Sequence, residues 1–207
     1  MKTITYKDVA ALNFDDWFTA NDTREKYEEQ IARHRAIREE WTALDVLRTD
    51  EISASSRIFI VLETNIIDEP VIHEFACRCA ESALSRVGNP DERSVAAIEA
   101  KRKWLRGEIS DKELDSARDA AHGAAWNAEG EVVWDLSRLA AWDAARNSAC
   151  DAAWAAAEAA ARCAWRSVAT SEETYEATFA EKSEEMREER LAEREWQIAE
   201  LMRMLEG

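Results

Sequence analysis

Ala140-Ala141-Trp142-Asp143-Ala144-Ala145-Arg146-Asn147-Ser148-Ala149-Cys150-Asp151-Ala152-Ala153-Trp154 is the stretch whose reading decides the fold. It contains two copies of an alanine–alanine–tryptophan phrase, and a third stands upstream at Ala124-Ala125-Trp126. Alanine enters a helix without losing side-chain entropy, so it has the highest helix propensity. From Asp111 to Thr170 the chain has no proline, and its only glycines are Gly123 and Gly130. The whole span therefore reads as helix. One unbroken helix from Glu131 to Thr170 would be ~60 Å long, more than a compact domain needs. A break is expected at Asn147-Ser148, with Ser148 as the cap of the next helix.

The tryptophans of the repeat do not make one surface. Trp126, Trp134 and Trp142 advance by eight residues, which rotates each by ~80° from the last on a 3.6-residue helix. Trp154 and Trp165, eleven apart, do share a face. The economical reading is that each ring fills the gap over alanines of a neighbouring helix, where backbones approach closely. The repeat then acts as scaffold, and Glu158 with Arg162 is expected to form an i,i+4 pair on its solvent side.

The flanks extend the helical pattern. Residues 1–20, with Ile4, Tyr6, Val9, Leu12, Phe14, Trp17 and Phe18, read as a short strand or an irregular segment followed by a helical turn. Asp22 or Thr23 is placed to cap a helix through Tyr27, Ile31, His34, Ile37 and Trp41 to Leu44 or Val46. Ile58 to Leu62, with Ile66-Ile67, fits a strand and a buried helix equally well. Pro70 is expected to open the next helix as its first residue, and Gly88 to close it. Asn89 is the expected cap of the helix after that, with Pro90 in its first turn. Ser110 and Glu113 form a capping box that starts a further helix at Asp111. Ser171-Glu172-Glu173-Thr174 precedes a highly charged helix in which Leu191, Ile198 and Leu205 recur every seven residues, with Leu201 and Met202 between. Such a seam suits docking on another helix. The fold class is all-α: a single helical bundle of alanine-rich, tryptophan-punctuated helices over residues 1–170, with an acidic C-terminal helix at 171–207.

Composition narrows the function. A chain of 207 residues suits one domain. It carries 43 acidic against 27 basic residues, a net charge of −16, and 14 acidic against 7 basic fall in residues 151–207. That balance disfavours nucleic acid and anionic membranes as partners and favours basic proteins. Met1 to Lys7 has no apolar signal region, and Ile58 to Leu62, the longest strongly apolar run, is too short to cross a bilayer. Cys77, Cys79, Cys150 and Cys163 read as reduced thiols of a cytoplasmic protein. His73, Cys77 and Cys79 would need a distant fourth ligand to hold zinc, and buried cysteine usually behaves as a small hydrophobe. His34, His73 and His122 are scattered, and there is no phosphate-cradling glycine loop or nucleophile elbow. No catalytic, cofactor-binding or metal site is expected. The candidate partner-binding residues are the acids Asp15, Asp16, Asp22, Glu181, Glu184, Glu185, Glu188 and Glu189. Leu191, Ile198, Leu201 and Leu205 form a candidate homodimer seam.

One run carries a resemblance. Phe75-Ala76-Cys77-Arg78-Cys79-Ala80, Ala83-Leu84, Arg93, Ala97-Ile98-Glu99, Trp104, Gly107-Glu108-Ile109, Glu113-Leu114 and Ala117-Arg118 lead into the alanine repeats. Over about residues 73–166 this pattern resembles a predicted immunity-protein family of bacterial toxin–immunity loci and phage genomes. The family's repeat aromatic is often tyrosine, whereas here it is tryptophan, and residues 1–70 and the acidic tail diverge from it. The resemblance implies an all-helical protein that neutralises another protein by binding it, without catalytic residues. The expected function is a non-enzymatic inhibitor, an immunity protein or a phage anti-defence (anti-CRISPR-like) antagonist. Its acidic surface would face a basic, nucleic-acid-binding groove on a toxin or defence protein. Two alternatives are a helical assembly protein that dimerises through its C-terminal heptads and a helical bundle that binds a small ligand.

Overall fold

The structure is a computed structural model that describes residues 2–12, 39–86, 89–126, 136–168 and 175–207, with the backbone alone at 124–126, 136, 164–168 and 175–183. In chain order the described elements are β1 (Ile4–Thr5), α1 (Tyr6–Ala10), β2 (Glu40–Trp41), α2 (Ala43–Leu47), α3 (Ala54–Glu63), α4 (Glu69–Ser85), α5 (Glu92–Leu105), α6 (Asp111–Trp126), α7 (Leu136–Arg146), α8 (Ala149–Val168) and α9 (Tyr175–Glu206). The chain is an all-α bundle. Among the described residues the strands are one antiparallel two-residue pair, Ile4 opposite Trp41 and Thr5 opposite Glu40.

The alanine stretch is the axis of this bundle. Helix α8 packs against α3, α4, α7 and α9. Ala152, Ala153, Ala155, Ala156, Ala157, Ala159, Ala160 and Ala161 are all buried, over an arc of ~240° of the helix. A helix enclosed over about two-thirds of its circumference has room there only for small side chains if its neighbours are to approach closely. Its larger residues fall on one stripe at spacings of three, four and four: Asp151, Trp154, Glu158 and Arg162. The break expected at Asn147-Ser148 is where α7 ends and α8 begins. Asn147 sits in the left-handed region at φ 81°, a conformation asparagine tolerates at helix ends. The Ser148 hydroxyl accepts from the Asp151 backbone N–H (3.4 Å) and donates to the Asp151 carboxylate.

Local signals elsewhere meet mixed outcomes. The capping box at α6 forms: Ser110 N–H donates to Glu113 (2.8 Å), and Glu113 N–H to the Ser110 hydroxyl (3.4 Å). Ile58 to Leu62 lies in α3, buried throughout. Three expectations are corrected. The cap of α5 is Asp91, whose carboxylate accepts from Arg93 N–H at 2.9 Å, so the helix starts two residues later than an Asn89 cap implies. Pro70 is the second residue of α4, after Glu69, with Asp68 as cap. Trp41 is in β2 and not in a helix continuing to Val46. Thr42 and Asp45 form a fresh capping box there (Thr42 N–H to Asp45, 2.9 Å), which restarts the helix as α2. The earlier part of that expected helix, the expected close of α4 at Gly88 and the helix-start signature at 171–174 lie outside the described residues.

Trp142 and Trp154 are half-buried rather than central. Trp142 packs on a small satellite cluster of Ala97, Leu114, Ala121 and Ala145, between α5, α6 and α7. Its indole lies 5.1 Å from the His122 ring and 5.0 Å from the Arg146 guanidinium. The side chains of Trp126, Trp134 and Trp165 are outside the described set.

A candidate protein-binding face on the last helix

Helix α9 is held in one rotation by polar contacts along its inner side. Glu193, almost wholly buried, accepts from the Ser82 hydroxyl (3.1 Å), Arg86 (2.6 Å) and Gln197 (3.2 Å). Gln197 donates to the Ala153 carbonyl of α8 (2.8 Å) and accepts from Arg194 (3.0 Å). Arg194 lies over the Trp154 ring at 5.2 Å, and burial lowers its pKa to about 10. Arg190 pairs with Glu158 at 2.9 Å, so Glu158 meets α9 rather than Arg162. Arg57 of α3 reaches Glu195 at 3.1 Å, and Arg78 of α4 pairs with Glu200. Hydrogen bonds from Arg203 and then Arg78 hold the Glu200 carboxyl down at about 2 against the opposing effect of burial.

This clamp sorts the residues singled out in the sequence. Glu184, Glu185 and Glu188 are exposed on the outward side of α9. Glu184 pairs with Arg187, while Glu185 and Glu188 have no ion pair among the described residues. Glu189 is half-exposed beside Arg86 at 3.9 Å, turned toward the bundle. Asp15, Asp16 and Asp22, and the side chain of Glu181, lie outside the described residues. The dimer seam is corrected. Ile198 and Leu201 are buried in the chain's own core and Leu205 packs against it, which leaves only Leu191, 55 % exposed, on the surface. A straight helix drifts ~20° per heptad against a strict seven-residue repeat. Leu191 therefore stays outside while Ile198 and Leu205 are turned toward the bundle. The inner stripe that does hold α9 — Arg190, Glu193, Arg194, Gln197 and Leu201, at spacings of three and four — is largely polar and escapes an apolar-periodicity search.

A second feature lies at the other end of α8. A cleft of about 540 Å³ is walled by the end of α3 (Glu63, Asn65), the start of α4 (Glu69, His73) and the α7–α8 junction (Ser148, Cys150). His73 is buried, contacts Glu69 at 3.3 Å and meets Trp104 edge-on at 5.9 Å between ring centroids. Burial, and then the nearby Lys101, lower its pKa. Lys101 is fully buried, lies 4.3 Å from the Trp104 ring and has no hydrogen-bond partner among the described residues. Burial lowers its ammonium pKa to about 8 from 10.5. Cys77, also buried, has its thiol pushed up to about 12 by burial. Among the described residues no three His, Cys, Asp or Glu side chains converge to hold a metal ion, and no helix is long and apolar enough to cross a membrane.

The lysine yields a prediction. Its folded-state pKa lies below the unfolded value, so folding opposes protonation, and stability is lowest below pH 8 and recovers up to about pH 10.5. Replacing it by methionine removes that cost and loses the cation–π contact. Lys101→Met is expected to stabilise the fold by about 2 kcal/mol at pH 7. The gain should shrink steadily in urea titrations repeated between pH 8 and 10.5, and a loss of stability at pH 7 would contradict the assignment.

Comparisons of this chain with protein-family models, with curated proteins and with solved structures find no match.

Proposed function

We propose that this chain is a non-enzymatic inhibitor that binds and neutralises a basic effector, as an immunity protein or a phage anti-defence (anti-CRISPR-like) antagonist does. The observation that carries the reading is the outward face of α9, where Glu184, Glu185 and Glu188 stand exposed on a helix whose rotation is held by buried polar contacts. A rigid helix with acid on its free side presents a negative surface to a groove built for nucleic acid, and the net charge of −16 speeds encounter with it. The family resemblance over residues 73–166 supports the same class of activity. In this reading the alanine–tryptophan repeat does not touch the target and serves to hold α9 in place.

The test is co-purification with the basic product of a neighbouring locus, followed by affinity measurement at increasing salt. Binding should weaken as salt rises. The triple variant Glu184→Gln, Glu185→Gln, Glu188→Gln should bind about tenfold more weakly at low salt and show a flatter salt dependence. Equal affinity of variant and wild type at low salt would remove α9 from the contact. A small-ligand role keeps one supporting observation, the 540 Å³ cleft beside His73, and native mass spectrometry of the purified protein tests it directly.

A further inference from the structure

We propose that the outward face of α9 is a docking surface for one basic amphipathic helix, anchored by Leu191 and Trp196 and guided by the glutamates around them. This rests on the inhibitor reading above and adds the apolar anchors and the shape of the partner element. At ~100° per residue, Glu184, Glu185, Glu188, Leu191, Ala192, Glu195, Trp196, Ala199 and Arg203 fall within an arc of ~140°, and every one of them is exposed, with Glu195 paired to Arg57 and Arg203 to Glu200. Leu191 and Trp196, at 55 % and 38 %, are two of the three large apolar residues left exposed among the described ones. Ala192, exposed, lies between them on the same arc, and Ala199 stands just under one turn beyond Trp196. Two bulky side chains with an alanine between them form a shallow trough, the shape that accepts ridges of a second helix. Tryptophan is also the side chain most enriched among residues that dominate binding energy.

The inner side of α9 shows why this face is not a misplaced core. Turning it inward would break the contacts of Glu193 with Ser82 and Arg86 and of Gln197 with the Ala153 carbonyl. Charge selects the occupant. A second copy would bring together two chains of net charge −16, which repel each other. A phosphate backbone or an anionic membrane is repelled in the same way. A helix with lysine or arginine flanking a leucine stripe satisfies both parts of the face, apolar residues entering the trough and cations meeting Glu184, Glu185 and Glu188.

The experiment uses the full chain and a synthetic helix-forming peptide of leucine and lysine at amphipathic spacing, with a scrambled peptide of equal composition as control. Affinity is read by calorimetry at two salt concentrations, and the Trp196 indole resonance is followed by NMR. The patterned peptide should shift that resonance and bind at least about tenfold more tightly than the scrambled one. The double variant Leu191→Ala, Trp196→Ala should keep the wild-type unfolding midpoint and lose about tenfold in affinity at both salts. Glu185→Gln with Glu188→Gln should lose affinity mainly at low salt. Equal binding of the two peptides, or full affinity in the double variant, would overturn the proposal. So would a wild-type dimer in sedimentation that the double variant returns to monomer, since the occupant would then be a second copy. If the anchor variant still captures the effector and the glutamate variants do not, the acidic-face reading stands and the anchors fall. If neither matters for the effector, both fall.

Discussion

Asp143→Asn is expected to stabilise the protein, with a gain that grows as the pH rises from 4 to 8. Asp143 is buried near the end of α7. Burial first, and then the Asp151 carboxylate, push its pKa up to about 7 against a weaker opposing pull from Arg146. Helix geometry works in the same direction, because the last turn of α7 presents the negative end of its dipole to the carboxylate. The folded state therefore holds a proton that the unfolded chain releases near pH 3.8. Stability is greatest below that value and falls as the pH rises through about 7, where the folded carboxyl at last ionises. Asparagine keeps the shape and carries no charge. The expected gain above pH 7 is on the order of 4 kcal/mol, or roughly 10 °C in melting temperature for a chain of this size. At pH 4 the two proteins should melt nearly together. Thermal unfolding at pH 4, 6 and 8 checks this, and a gain independent of pH would refute the buried-acid account.

Glu193→Ala carries the largest expected loss. The carboxylate is buried among Ser82, Arg86 and Gln197 and ties α9 to α4. Breaking a buried ion pair from one side leaves the other charge uncompensated, at a cost of about 3–5 kcal/mol. Arg86 is one-third exposed, so part of its charge recovers water, and the lower end of that range is expected. Glu193→Gln preserves volume and the contacts with Ser82 and Gln197, and should lose roughly 1–2 kcal/mol. Urea midpoints of the three proteins provide the comparison. If alanine and glutamine cost the same, the charge of Glu193 contributes nothing and the clamp on α9 is only a packing contact.

These two residues mark how far the sequence could be read. The helices of the alanine stretch were legible because propensity and the absence of breakers act locally. So was their division at Asn147-Ser148, where a capping hydroxyl stands beside a residue that tolerates positive φ. The box at Ser110 and Glu113 was legible for the same reason, since its hydrogen bonds span three residues. The start of α5 was misplaced by two residues because Asn89 and Asp91 are both competent caps. The helix expected through Trp41 was misplaced because its competitor, pairing with Ile4–Thr5, lies more than thirty residues away in the chain. As for the candidate site, Glu184, Glu185 and Glu188 were visible as acids on a helix. Trp196 carried only a weak signal, a large apolar residue between Glu195 and Gln197 that falls outside the leucine repeat.

Composition and local pattern alone determined that this chain is helical, that alanine rather than leucine fills its longest apolar stretch, and that it carries a net charge of −16. Each of those properties is a sum over neighbouring residues. Only the tertiary structure decided which side of each helix is used. An alanine helix has no strongly apolar face of its own, so α8 could become the axis only when α3, α4, α7 and α9 closed around it. The leucine repeat pointed to a seam between two chains, whereas the fold buries Ile198 and Leu201 internally and binds α9 through Glu193, Arg194 and Gln197. Polar side chains enter a core when partners from other helices meet them, and the identity of those partners is not written near them in the chain.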